Sequence, residues 1–473
     1  MARNHAARWR SQILRSLCLV AVGATLAGCS EVYTRPPAPV ANTWPTAESA
    51  QGQRIASETE WRAFFPDPRL QSLILTALEN NRDLRIALAR VGEARAQYGI
   101  VRADRFPTVN LGTSRNAALT PADLGGANQS VTGERYDFSM NMISYEVDLW
   151  GRLSGLAESS KASYLATEEA RRSIRLSLIA EVANAYFGIL ELEERARLAR
   201  ATVAAREHAL SLVEKGRQAG FASNLDYLQA SGVLETARAD LAVLDRERAA
   251  AHNLLQSLLG APMPEDLPPG RTLEDQDVDG NLAAGVPAEV LLSRPDVIAA
   301  EQRLIASNAN VGAARAAFLP KILLTGVFGT ASRALSGLFM AGSKAWAFQP
   351  SLSMPLFDGG RTAANADVAE ARKVIAVAEY EKIIQQAFRE VADLLASRTA
   401  LAAQRRAAEA NLKAQQERLR IAQILFQSGK ISFLDVLDAQ RESYAAQQTA
   451  VQVRRNQLTT AAQLYKALGG GSS

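Results

Sequence analysis

Residues 346–361 read Trp346-Ala347-Phe348-Gln349-Pro350-Ser351-Leu352-Ser353-Met354-Pro355-Leu356-Phe357-Asp358-Gly359-Gly360-Arg361, and this stretch decides the fold. Apolar or ring side chains take every second place from Trp346 to Leu356, with Ala347, Gln349, Ser351 and Ser353 between them. A period of two marks a strand with one apolar and one polar face. Past Gly360 the pattern changes, and no proline occurs between Arg361 and Ser473. An earlier segment has the same form. Tyr136, Phe138, Met140 and Met142 alternate with Asp137, Ser139 and Asn141, and the apolar parity then moves to Ile143, Tyr145, Val147 and Leu149. A β-bulge, or a change from lipid to protein surroundings, accounts for the switch. Trp150-Gly151-Arg152 follows, and then a proline-free run from Leu153 to about Arg217.

Working outward, the chain is written twice. One fixed offset carries Arg152 onto Arg361, Glu181-Val182-Ala183 onto Glu390-Val391-Ala392, Gly220 onto Gly429, and Leu225-Asp226 onto Leu434-Asp435. Arg105-Phe106-Pro107 is echoed by Ala317-Phe318-Leu319-Pro320 at nearly the same distance. So long a period indicates a duplication rather than a short-period solenoid. Each half reads as a helix, two strands and two long helices. The first helix is expected from about Pro68 to Ala103, stopped by Phe106-Pro107. The second half opens on Ser293-Arg294-Pro295-Asp296, read as a helix start with Ser293 at the cap. Gly- and polar-rich loops, roughly 117–133 and 331–344, join the strands of each hairpin.

The long helices predict a coiled-coil partner. Leu234, Ala237, Leu241, Leu244, Arg248, Ala251, Leu255 and Leu258 alternate spacings of three and four, with only Arg248 out of character. The matching seam of the second half (Ser443, Ala446, Ala450, Val453, Gln457, Thr460, Leu464, Ala467) is smaller and wetter. A soluble bundle of helical hairpins is the plainer alternative, and the strands argue against it. Four amphipathic strands cannot close a barrel, which needs at least about eight. Open edges are not tolerated in lipid. The strands therefore predict an oligomer, each copy lending four.

The N-terminus is an address. A basic start, an apolar stretch from Leu17 to Leu26 and small residues before Cys29 have the form of an export signal. Leu26-Ala27-Gly28-Cys29 resembles a bacterial lipobox, which makes Cys29 the acylated first residue of the mature chain. Ser30 follows it where an Asp would suggest retention at the inner membrane, so the expected destination is the outer membrane of a Gram-negative cell. Removing Arg3, Arg8, Arg10 and Arg15 with the signal leaves 49 basic residues against 49 acidic ones. A basic nucleic-acid-binding surface is thereby disfavoured. Cys18 and Cys29 both precede the folded chain, and only His208 and His252 follow them, which excludes a disulfide framework and Cys/His zinc sites. Both histidines lie on helices without a nucleophile or carboxylate cluster beside them. Gly359-Gly360 and Gly469-Gly470-Gly471 lack the setting of a phosphate loop and read as a turn and a flexible end. Neither enzyme chemistry nor a cofactor or metal is expected.

The lipobox, the two halves, Ser293-Arg294-Pro295-Asp296-Val297, the segment from Asp435 to Arg441 and Leu464-Tyr465-Lys466-Ala467-Leu468-Gly469-Gly470-Gly471 together resemble the outer membrane factor family. These are TolC-like channels, and the resemblance is to their lipoprotein branch in multidrug efflux. It implies a mainly α chain with a membrane β-barrel. Three chains would form a 12-stranded barrel continued by a long periplasmic α-helical barrel. It also implies a signal peptide over 1–28, a lipidated tether with equatorial contacts over 29–65, a first repeat over 66–260, an equatorial linker over 261–290 and a second repeat over 291–473. The hairpins would span about 106–150 and 318–357, and the helical tips would lie near 220 and 429. The expected partners are two further copies, a periplasmic adaptor, an inner-membrane pump and outer membrane lipid, with no nucleic acid.

The residues of interest sit at the two helix–helix turns. Gly429 follows a long helix, and the next begins around Ser432. Asp435, Asp438 and Arg441 recur at spacing three and form one polar stripe. On spacing alone this is a dipole-complementing helix start with a solvated salt bridge. The resemblance places the periplasmic gate there, with Leu434 adding an apolar ring and Asp438 and Arg441 pairing. Gly220, Asn224, Gly429 and Ser432 would form the tips that receive the adaptor. The first half carries Gln229 for Asp438 and Gly232 for Arg441, so the two turns are chemically unequal. Two other functions fit the outline: type I protein secretion, which the lipobox disfavours, and a closed, lipid-anchored coiled-coil scaffold.

Overall fold

The structure, a computed structural model, describes residues 33–45, 54–124, 129–278, 282–283, 285 and 287–471. Cys29 and the lipobox lie outside the described residues. The described chain divides into two compact units. One holds the residues up to Pro37 with Val91–Thr167 and Ala300–Tyr380, and the other holds the remainder.

The first unit carries a four-stranded antiparallel meander. Its strands are β2 (Val109–Thr120), β3 (Val131–Val147), β5 (Lys321–Ser332) and β6 (Lys344–Ser353), in spatial order β2-β3-β5-β6. Among the described residues both edges, β2 and β6, are unpaired. The bulge expected from the parity switch is present. Met142 opposes Gly326 and Tyr145 opposes Leu324, so Ile143 and Ser144 together face Thr325. Ser144 takes a positive φ of 53°, and its N–H donates to Thr325 Oγ1 at 3.3 Å. The expected loops are shorter than read, because 117–120, 131–133 and 331–332 continue the ladders. Two rows of side chains run across one face of the meander: Val109-Met142-Gly326-Phe348 and Leu111-Met140-Phe328-Trp346. Across the opposite face the rows Asn110-Asn141-Val327-Ala347 and Gly112-Ser139-Gly329-Ala345 are small or polar. A Cβ on Gly329 would lie 2.1 Å from the Phe138 carbonyl, which is why β3 and β5 can approach there only with glycine.

Helix α4 (Arg152–Gln218) and helix α8 (Arg361–Gln427) each have 67 residues, about 100 Å at 1.5 Å per residue. Within the unit α4 lies close to α7 (Pro295–Ala316), where a Cβ on Gly155 would come within 3.2 Å of the Ala309 carbonyl. Arg35 of the Pro-rich tether forms a bidentate pair with buried Glu301 at 2.6 and 2.8 Å, and the Tyr33 hydroxyl donates to the same carboxylate.

In the second unit the return helices α5 (Asn224–Leu259) and α9 (Phe433–Ala467) supply the seams expected of them. Leu234, Ala237, Leu244 and Leu255 are buried, as are Ser443, Ala446, Val453, Leu464 and Ala467. Leu244 packs with Ala196 and Ala199 of α4. Small residues there let the helices approach closely.

Three expectations need correction. After a single turn, α1 (Trp61–Phe64), the one helix read from Pro68 to Ala103 is two, α2 (Pro68–Asn80) and α3 (Arg82–Ala103). Asn81 breaks it at ψ 133°. Its Oδ1 accepts from Leu84 N–H, its Nδ2 donates to the Leu258 carbonyl, and Gly260 in the left-handed region lies against Asn80. Ser293 is not a cap. It ends the short helix α6 (Pro287–Ser293), its hydroxyl donating to the Val290 carbonyl, while Asp296 accepts from Val297 N–H. Beyond the four strands there is also a two-residue parallel pair, β1 (Arg54–Ile55) with β4 (Leu282–Ala283), too short to leave a periodic signal.

Buried polar groups tie this unit together. Asp67 caps α2 and accepts from Tyr186 Oη, Arg271 N–H and Gln276 Nε2. Arg294 reaches Asp296, Glu390 and the Ala467 carbonyl, each within 2.8 Å. Burial alone would raise the Asp296 carboxyl, but the Arg294 hydrogen bonds outweigh it and hold it below the usual range.

Candidate functional site

The two helix–helix turns have the same backbone. Helix α4 ends in Gly220 at φ 81°, and the N–H of Phe221 closes back on the Gly216 carbonyl at 2.8 Å. Helix α8 ends in Gly429 at φ 72°, and the Lys430 N–H closes on the Leu425 carbonyl at 2.9 Å. Each is a Schellman closure, in which a glycine admits the left-handed residue and the helix's last carbonyls find donors. The next helix starts through a reciprocal capping box in both. The Ser223 hydroxyl accepts from Asp226 N–H while the Asp226 carboxylate accepts from Ser223 N–H, and Ser432 with Asp435 repeats the pattern. The Ser hydroxyls, and then the Ser backbone N–H groups, hold both aspartates below their ordinary carboxyl range.

This settles where each singled-out residue lies. Gly220, Gly429 and Ser432 occupy the structural positions of the turns. Asn224 is the first residue of α5, and the true counterpart of Ser432 is Ser223. Asp435, at the head of the stripe, gives its carboxylate to the Ser432 cap. Asp438 and Arg441 do pair, at 2.7 Å. A third member was missed: Arg418 of α8 reaches the other oxygen of Asp438 at 2.6 Å. Twenty residues and a reversal of direction separate Arg418 from Asp438, so no local spacing marked it. At the positions equivalent to Arg418, Asp438 and Arg441 the first turn has Ala209, Gln229 and Gly232.

The apolar surfaces differ in the same sense. Under the second turn Val436 and Ala439 pack on Ala422, with Leu419 and Ile431 around them. Leu437 is 8% exposed, whereas its counterpart Leu228 is 58% exposed. Phe221, 91% exposed, stands where the second turn has Lys430. Leu225 and Leu434 are both exposed. The second tip is thus a packed end whose two helices are linked through Asp438, while the first is more exposed and lacks charge at the three equivalent positions. Among the described residues no group of three or more His, Cys, Asp or Glu is placed to hold a metal.

The sequence model described as outer membrane efflux protein matches residues 73–261 and 286–470, which is nearly every element above. The chain belongs to that family. It is 43% identical over 463 residues to the probable efflux pump outer membrane protein SepC of Pseudomonas putida, with 96% of each chain covered. To the outer membrane protein OprJ of Pseudomonas aeruginosa it is 42% identical over 453 residues, covering 95% of this chain and 94% of that one. Among solved structures, a membrane protein from Pseudomonas aeruginosa superposes at a TM-score of 0.87 with 41% identity, covering 93% of this chain and 99% of the other. The open state of the Neisseria gonorrhoeae MtrE outer membrane channel superposes at 0.84 with 38% identity, covering 93% and 98%. The family is one of efflux ducts, not of enzymes. The chain is an efflux exit duct of the Gram-negative outer membrane with a periplasmic extension.

Proposed function

We propose that three copies of the chain form one duct, each lending β2-β3-β5-β6 to a 12-stranded membrane barrel. The observation that carries this reading is the open meander. Four strands with two unpaired edges and an apolar face have no stable place in lipid until the edges are closed by other copies. Exposed Ile86, Leu88 and Ile100 on α3 and Val374 and Ile375 on α8 supply further surface for neighbouring copies to cover. The matched element order of the two halves, down to equal 67-residue helices and paired capping boxes, is read as an internal duplication. Acylation of Cys29 would add a lipid anchor to the barrel.

In this reading the duct conducts antibiotics and other small molecules delivered by a periplasmic adaptor and an energised inner-membrane pump. The turns at Gly220 and Gly429 receive the adaptor. The Arg418-Asp438-Arg441 linkage holds the periplasmic end closed. The linked groups are partly exposed, and Asp438 retains 37% of its side-chain surface, so each pair contributes only about 0.2–1 kcal/mol. Three subunits together then supply roughly 1–6 kcal/mol, sufficient to bias a two-state opening. The mass of the detergent-solubilised protein tests the architecture: three times that of the processed chain is expected, and a stable monomer with native spectra contradicts it.

A further inference from the structure

The apolar face of the meander has a notch in it. Gly326 lies between Met142 and Phe348 in one row, with Met140, Phe328 and Trp346 in the next. Because Gly326 has no side chain, these residues surround an open depression of about 360 Å³. A Cβ placed on Gly326 would touch Met142 Cε at 3.6 Å and Phe348 Cδ2 at 3.9 Å, ordinary contacts with two side chains, so the position is flanked by movable groups and is not a tight crossing of backbones.

Charge on this face is confined to one end. The row beyond Trp346 is Thr113-Phe138-Thr330-Lys344, and the next is Arg115-Tyr136-Ser332. In the other direction the rows are Tyr145-Leu324-Pro350 and Val147-Ile322-Leu352, which carry no charge. The charged end is the one where loops 121–130 and 333–343 join the strands, remote in sequence from the helices. Arg115 lies 5.6 Å over the Tyr136 ring and pairs with Glu134. Lys344 pairs with no carboxylate among the described residues. Phe138 and Phe339 meet edge-on at 5.5 Å on the same face, and Trp346 stands 76% exposed. Aromatic rings followed by basic groups are the pattern of a membrane interface with an anionic head group.

We propose that the Gly326 notch and Lys344 form a binding site for one molecule of lipid A, the phosphorylated, multiply acylated glycolipid of the outer leaflet. An acyl chain fills the notch between Met142 and Phe348. A phosphate sits at Lys344, about 13 Å along β6 from Phe348 at 3.3 Å per residue. The loop end of a barrel in this membrane faces the exterior, so the cations stand at the leaflet where lipid A phosphates lie. A phospholipid of the inner leaflet would need its cation at the uncharged end. This inference rests on the proposed barrel.

Native mass spectrometry of the detergent-solubilised protein, with purified lipid A added in one arm and phosphatidylglycerol in another, tests both readings separately. The particle mass reports the barrel, and the retained lipid reports the site. Trimers should retain lipid A in preference to phosphatidylglycerol. Lys344→Ala should cut lipid A retention about fivefold, the effect of one basic residue beside an anionic lipid. Gly326→Leu, which fills the notch, should cut retention of lipid A while leaving the trimer mass unchanged. Lipid A stripped of its phosphates should bind wild type and Lys344→Ala alike. Trimers that hold the two lipids equally, or variants that retain lipid A like wild type, overturn the site while leaving the barrel standing. Monomers overturn both.

Discussion

The two helical tips share a backbone and the residues that cap it, and differ in the side chains beyond the cap. Gly220 and Gly429, with the boxes Ser223/Asp226 and Ser432/Asp435, bend the chain in the same way because turning a helix back on itself leaves few solutions for the last carbonyls and first N–H groups. Beyond the cap residues no such constraint acts. There one tip has Ala209, Gln229 and Gly232, and the other has Arg418, Asp438 and Arg441 tied into one ionic group. Fold and gating are thus separable: the turn is set by the glycine, serine and aspartate, and the proposed gate by three other positions.

The largest effect is expected from Arg418→Ala combined with Arg441→Ala. In the proposed trimer three Asp438 carboxylates would then be left unpaired, losing roughly 1–6 kcal/mol of closure. Cells carrying this variant should become sensitive to vancomycin, whereas Gln229→Ala in the first tip should leave sensitivity unchanged. Equal responses at the two tips would break the comparison.

The next effect should be the same at both tips. Gly220→Ala and Gly429→Ala each place a Cβ on a left-handed residue with no atom within 4 Å of it, so the cost is conformational alone, about 1–2 kcal/mol. Hydrogen exchange of the flanking amides should accelerate equally in the two variants. A smaller and again equal loss, about 1 kcal/mol, is expected for Ser223→Ala and Ser432→Ala, read by the same exchange. A large difference between members of either pair would show that the backbones are not equivalent.

The smallest effect is one of pH. Asp226 and Asp435 are held below the ordinary carboxyl range by their serines. Their contribution is therefore complete above about pH 4, the unfolded carboxyl value, and is lost as pH falls through the depressed folded value. Amide exchange at the first residues of α5 and α9, corrected for its intrinsic pH dependence, should accelerate together below that pH and stay flat between pH 5 and 8.

Much of this was legible in the chain. Proline-free runs mark the long helices, period-two runs mark β3 and β6, and the parity switch at Met142/Ile143 marks the bulge, because each is a local property. The break at Asn81 was not legible, since it depends on the Leu258 carbonyl and on Gly260, far along the chain. Ser293 misled for a related reason: a serine before Arg-Pro looks like a cap, but the preceding helix α6 takes it as its own end. At the tips, Asp438 and Arg441 stand three residues apart on one helix and were visible as a pair. Arg418 belongs to the facing helix, and only the folded turn brings it to Asp438.

Single-channel recording in planar bilayers tests the central claim most directly, using a chain whose second tip is made a chemical copy of its first. Arg418→Ala, Asp438→Gln and Arg441→Gly together remove the linkage and leave only the part-exposed Glu442 carboxylate without its Arg441 partner. If the second tip holds the duct closed, this variant opens to a larger conductance than wild type, while the reciprocal side-chain changes at the first tip do not reproduce that opening. A conductance equal to that of wild type would contradict the account, and the ionic group would then be only a solvated helix start.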